Sequence, residues 1–85
     1  MKRIIQYKTV EVHGQEFEMN RAKDYKYAVV EEGNIAVVYE HEPIWDEEEQ
    51  NWYPKQIGRR MSNRITLGYI DDYNGHIRDS LFIIK

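Results

Sequence analysis

Eighty-five residues with a net charge of −3 are expected to make one domain, residues 1–85, around a single thin core. A chain this short buries only roughly 60–65% of its unfolded surface, which leaves little room for a deep catalytic cleft. The mild acidity argues against a general nucleic-acid binder and equally against a wholesale mimic of DNA, while 13% aromatic residues argue against disorder.

The chain contains no cysteine, so it has no disulfide framework and no thiolate metal site. That favours a reducing cytoplasm. Met1 to Val12 holds no apolar run long enough for a signal peptide. No stretch approaches the ~20 apolar residues of a membrane span.

Residues 3–12 are rich in β-branched and aromatic types and partly alternate, which predicts a strand. His13-Gly14-Gln15 follows as a turn. Glu16-Phe17-Glu18-Met19 alternates and is expected to pair back. Asn20 to Asp24 is polar, with room for one helical turn capped by Asn20.

Residues 25–31 and 35–41 flank Glu32-Gly33-Asn34 and read as a β-hairpin. A three-residue loop with Asn34 left-handed sets Tyr27 against Tyr39, Val29 against Val37 and Glu31 against Ile35; a two-residue loop shifts this pairing by one. Ala28, Val30, Ala36 and Val38 then line the other face. Both faces are apolar, which places these strands centrally in the sheet.

Pro43 ends that strand. Asp46 to Asn51 reads as a polar loop between Trp45 and Trp52. Residues 65–70 alternate and predict a further strand. Asn74-Gly75 is a strong hairpin signal ahead of a last strand at 81–84. The expected fold is mainly β, with at most one or two short helical turns. It is a small antiparallel sheet of about five to six strands, strongly curled or barrel-like.

Two segments stand out chemically. Trp45, Asp46, Glu47, Glu48, Glu49, Trp52 and Tyr53 combine aromatics with four consecutive acids. Either the tryptophans close one end of the core under a solvated acidic tip, or the segment binds a protein. Tryptophan and tyrosine supply contact area, and clustered acids steer a basic partner.

The second segment holds Lys55, Arg59, Arg60 and Arg64. Between 31 and 49 there are eight acids and no lysine or arginine; between 55 and 64 there are four bases and no acid. The bases can pair across the fold or simply be solvated. They can also support head-to-tail or two-fold self-association with the acidic loop, or grip a small anionic, nucleotide-like ligand, as in an oligomeric sponge that buries it at subunit interfaces with Arg59, Arg60, Arg64 and tyrosines.

His13, His41 and His76 lack the clustered spacing of metal ligands. A calcium loop starting at Asp71 fails because its twelfth position is Phe82. There is no nucleophile elbow, phosphate-binding loop or dinucleotide fingerprint. The expectation is therefore no catalytic residue, no metal and no cofactor. A small nuclease using glutamate, histidine and arginine is the enzymatic alternative.

From Tyr27 onward, a set of residues recurs in order. These are Tyr27, Val29, Val30, Glu31, Glu32 and Gly33, then Tyr39, Pro43, Trp45 and Trp52, then Gly68, Ile70, Asp79, Ser80 and Leu81. This pattern resembles a loose group of small phage- or prophage-encoded accessory proteins. Ile77 stands where such proteins often carry tryptophan. The resemblance implies a phage or prophage origin more than a mechanism, since most such proteins have no assigned role. Together with the small size, the absence of catalytic motifs and the segregated charge, it leads to the expectation of a protein that inhibits or diverts a host component, including host defence, by binding rather than by catalysis. The expected partner is a host protein or a small anionic ligand, in the bacterial cytoplasm, with no long nucleic acid and no membrane. Self-association into a homo-oligomer is open. A structural or assembly module of a virion is a further alternative.

Overall fold

The hairpin read from Tyr27 to Tyr39 organises the computed structural model, which describes residues 7–20 and 25–84. In chain order the strands are β1 (Tyr7–Val12), β2 (Gln15–Asn20), β3 (Tyr27–Glu31), β4 (Ile35–Tyr39), β5 (Ile44–Asp46), β6 (Asn51–Tyr53), β7 (Gln56–Ile57), β8 (Arg60–Met61), β9 (Arg64–Tyr69) and β10 (Phe82–Ile83). One 3₁₀ turn, Ile77–Asp79, precedes β10. All pairings are antiparallel, so the mainly β expectation holds. The expected helical turn at 20–24 falls on residues outside those described, apart from Asn20, which ends β2.

The central pairing has the register that the sequence predicts: Tyr27 opposes Tyr39, Val29 opposes Val37 and Glu31 opposes Ile35. Asn34 takes φ 59°, a left-handed conformation that asparagine tolerates. β3 and β4 are the inner strands of a four-stranded sheet ordered β10-β3-β4-β9. Each face of this pair is buried by a different hairpin.

On one face, Ala28, Val30, Ala36 and Val38 join Val10, Val12 and Met19 of β1–β2 in the larger core cluster. On the other face, Val29, Val37 and Tyr39 pack with Trp52 and Trp45 of β5–β6. The two cores are separated by the sheet itself. The three remaining pairs, β1–β2, β5–β6 and β7–β8, are separate two-stranded ribbons, and the sheet does not close into a barrel.

Local chemistry fixes the connections. His13 and Gly14 both have positive φ, 49° and 86°, as in the two-residue turns whose twist matches a hairpin. Gly68 on β9 has φ 147°, beside a register shift opposite Ala36 and Val37. The irregularity bends β9, and a Cβ at Gly68 would stand 3.6 Å from the Phe17 ring. The Gln15 side chain fastens β2 to the end of β9, donating to Tyr69 O at 2.9 Å and accepting from Asp71 N at 3.0 Å.

Asn74-Gly75 does not turn β9 back onto β10. These two strands lie on opposite edges of the sheet. The segment after β9 instead crosses the sheet, drawn by Ile70, Tyr73 and Ile77, which pack into the larger core. Burial of those side chains outweighs the local turn preference, and the crossing supplies what the outer edge of β3 lacks.

β10 covers that edge only at Tyr27 and Ala28. At Val30 the Ser80 hydroxyl takes over. It accepts from Val30 N at 2.8 Å and donates to Ile77 O at 2.5 Å, with Val30 O 3.3 Å away. Ser80 has no exposed surface, so no water can replace it. Ser80→Ala is expected to strand a buried N–H and to lower unfolding stability by about 1–3 kcal/mol, read as a shift in the urea midpoint at unchanged slope.

Candidate functional site

The acidic-aromatic segment forms the β5–β6 hairpin. Trp45 and Trp52 are directly opposed, with ring centroids 5.4 Å apart and planes at 70°, an edge-on contact. Trp52 is 5% exposed, and its indole N–H donates to Ile77 O at 2.8 Å. Trp45 also lies against His76, at 6.0 Å between centroids. Its indole nitrogen is buried without a hydrogen-bond partner among the described residues.

Strand alternation puts the next pair, Ile44 and Tyr53, on the opposite side of the ribbon. There they are 54% and 42% exposed. Beyond them, Asp46 builds the tip. Its Oδ1 accepts from Glu48 N at 2.9 Å and Glu49 N at 3.1 Å, and its carbonyl accepts from Gln50 N. Asp46 is thus a turn residue, whereas Glu47, Glu48 and Glu49 are exposed and make no ion pair among the described residues.

Of the seven residues read as one protein-binding group, Trp45, Trp52 and Asp46 serve the fold. Glu47, Glu48, Glu49 and Tyr53 face solvent, joined by Ile44, which the sequence reading passed over. The alternation Ile44-Trp45 was the available signal: if Trp45 packs inward, Ile44 points out.

The basic segment divides in the same way. Arg64 opposes Tyr39 in the ladder. Its Nη2 donates to Glu31 Oε1 at 2.9 Å, and its guanidinium sits 5.5 Å from the Tyr39 ring centroid. The Tyr39 hydroxyl donates to the other Glu31 oxygen at 2.5 Å. A nearly buried carboxylate is thereby satisfied on both oxygens, as burial of a charge requires. The segregation of acids and bases is partly resolved here, by pairing across the sheet.

Lys55, Arg59 and Arg60 lie apart from that cluster, on or beside β7–β8. The ribbon turns at Gly58-Arg59, and each residue from Lys55 to Met61 is exposed, Met61 at 55%. Its base is anchored. Ser62 N donates to Lys55 O, Glu40 N donates to Asn63 O, and the buried Ser62 hydroxyl accepts from His41 N. Beyond that base the ribbon pairs with no other strand among the described residues.

His13 and His76 do structural work, and the exposed His41 imidazole meets only its neighbour in sequence among the described residues. His13 donates from Nε2 to Ser80 O at 2.7 Å and packs between Tyr73 and Phe82. His41 lies 3.3 Å from Glu40. His76 caps the 3₁₀ turn by accepting from Arg78 N. Among the described residues, no three histidine, aspartate or glutamate side chains gather to hold a metal, and no helix is long and apolar enough to cross a membrane. Open depressions lie among the described residues. Thr9, Val10, Glu11, Phe82 and Ile84 line one; His13, Gln15, Ile70, Asp71 and Asp72 are among those lining another.

No family model, curated protein or solved structure matches the chain.

Burial, and then the hydrogen bond to and charge of Glu31, hold the Tyr39 hydroxyl well above the ordinary tyrosine range, with Arg64 opposing. In the unfolded chain tyrosine ionises near about pH 10. Above that pH the folded state retains a proton that the unfolded state has lost, so stability falls as pH rises. Tyr39→Phe is expected to make this alkaline decline shallower while lowering neutral-pH stability by about 1 kcal/mol, measured by urea titration across pH. The tryptophans should also separate. Trp52→Phe removes a made hydrogen bond and Trp45→Phe removes an unmade one, so the former should destabilise more, by about 1 kcal/mol, in the same assay.

Proposed function

We propose that this protein is a phage-type accessory binding module that inhibits or diverts a host component by contact rather than by turnover. Its working surface in this reading is the outer side and tip of β5–β6. The observation that carries it is the exposed Ile44–Tyr53 pair, continuous in the ribbon with the exposed carboxylates of Glu47, Glu48 and Glu49. An apolar pair beside unpaired charge fits a complementary protein face better than it fits solvent.

The chemistry specifies a basic partner surface with a shallow apolar recess. The carboxylates steer the encounter and set its salt dependence. Tyr53 and Ile44 supply the contact that persists after docking. The inner faces of Trp45 and Trp52 hold the ribbon against the sheet and so pre-organise the outer face. The lack of cysteine suits a reducing bacterial cytoplasm.

Capture of a small anion is the second reading. Lys55, Arg59 and Arg60, which enter no ion pair among the described residues, favour it, although Arg64 is engaged by Glu31.

A host lysate passed over immobilised protein supplies the test. The expected result is one captured protein whose affinity drops about tenfold or more, at least ~1.4 kcal/mol, on Tyr53→Ala and on the triple reversal of Glu47, Glu48 and Glu49 to lysine. Both variants alter exposed residues and should melt like the parent. A partner held equally well by both variants would remove β5–β6 as the working surface.

A further inference from the structure

We infer that β7–β8 is a docking arm for a second copy of this chain, and that it receives the acidic β5–β6 tip of that copy. Charge complementarity is the first ground. Lys55, Arg59 and Arg60 are exposed on the arm, and Glu47, Glu48 and Glu49 are exposed on the tip. Among the described residues none of the six enters an ion pair within the chain. Two oppositely charged elements that follow each other in sequence therefore remain unsatisfied by one another.

The second ground is apolar. Among the described residues β7–β8 is paired only to itself, with Ile57 and Met61 exposed on its two sides. A ribbon of two residues per strand has no core of its own and is at best marginally stable alone. The exposed Ile44–Tyr53 pair beside the tip offers matching apolar surface on the incoming copy. A net charge of only −3 opposes association weakly.

Arm and tip are different surfaces, so the contact is either exchanged reciprocally in a two-fold pair or repeated head-to-tail, into a ring where the rotation closes and an open chain where it does not. The contact occupies the tip that the proposed function assigns to a basic host partner, and the two compete for it. The association itself does not depend on that reading, because it is measured on the purified protein alone.

Sedimentation of the whole protein, with circular dichroism to verify folding, gives the test. At low ionic strength the mass should exceed the 10.3 kDa of one chain and grow with concentration. It should return to one chain near about 1 M salt, where the screening length is about 3 Å. Glu47, Glu48 and Glu49 all changed to lysine, or R59E with R60E, should each give single chains. Mixing the two variants in equal amounts should restore association, because each then carries the charge that the other has lost. A parent that stays a single chain at low salt, an oligomer indifferent to salt, or a mixture that remains dissociated would each overturn the inference.

Discussion

Val29, Val30, Val37 and Val38 sit side by side on β3 and β4 with no exposed surface. A strand pair with no wet face needs a cover on each side, and an 85-residue chain has little material for two. The solution is economical. One hairpin lies on each face of a single sheet, and each contributes one side of a ribbon to a core. Every valine placed in the centre thus commits residues elsewhere, Val10 and Val12 on one face and Trp52 on the other. Removing either cover would expose a full face of the central pair to water.

The edges impose the next requirement. β3 has only the two residues of β10 beside it, and an open edge invites pairing with other chains. Ser80 closes it with one hydroxyl that serves both as acceptor and as donor. The segment from Ile70 to Ser80 therefore ties together elements far apart in sequence. Its backbone also receives the indole N–H of Trp52 and the imidazole N–H of His13. The closing aspartate-serine-leucine of the sequence pattern has a physical reading at its serine, which stands in for a missing strand.

What the cores do not absorb is left to do other work. A ribbon that buries one side must present the other, so inward Trp45 and Trp52 entail outward Ile44 and Tyr53. A carboxylate that enters the sheet must be satisfied there, so Glu31 takes Tyr39 and Arg64 out of the pool of free groups. The exposed charges of Glu47, Glu48 and Glu49 on the β5–β6 tip and of Lys55, Arg59 and Arg60 on or beside β7–β8 enter no ion pair among the described residues, and the proposed contacts rest on them.

Strand periodicity, the Glu32-Gly33-Asn34 loop and the apolar character of both hairpin faces were enough, in the sequence alone, to determine the mainly β fold and the interior position of β3 and β4, and to narrow the central register to two alternatives, of which the structure takes the three-residue loop. These are local properties: side-chain alternation and turn chemistry act over a few residues. The sequence also marked the two charged segments, because charge clustering is visible without a fold. Only the tertiary structure decided which members of each segment are available. Whether Trp52 or Tyr53 faces solvent depends on which side of a ribbon meets the sheet, and whether Arg64 is free depends on Glu31, thirty-three residues away. Asn74-Gly75 failed as a hairpin signal for the same reason. The preference of a dipeptide is small beside the burial of Ile70, Tyr73 and Ile77 and the closing of a bare strand edge, and both of those exist only once the sheet has formed.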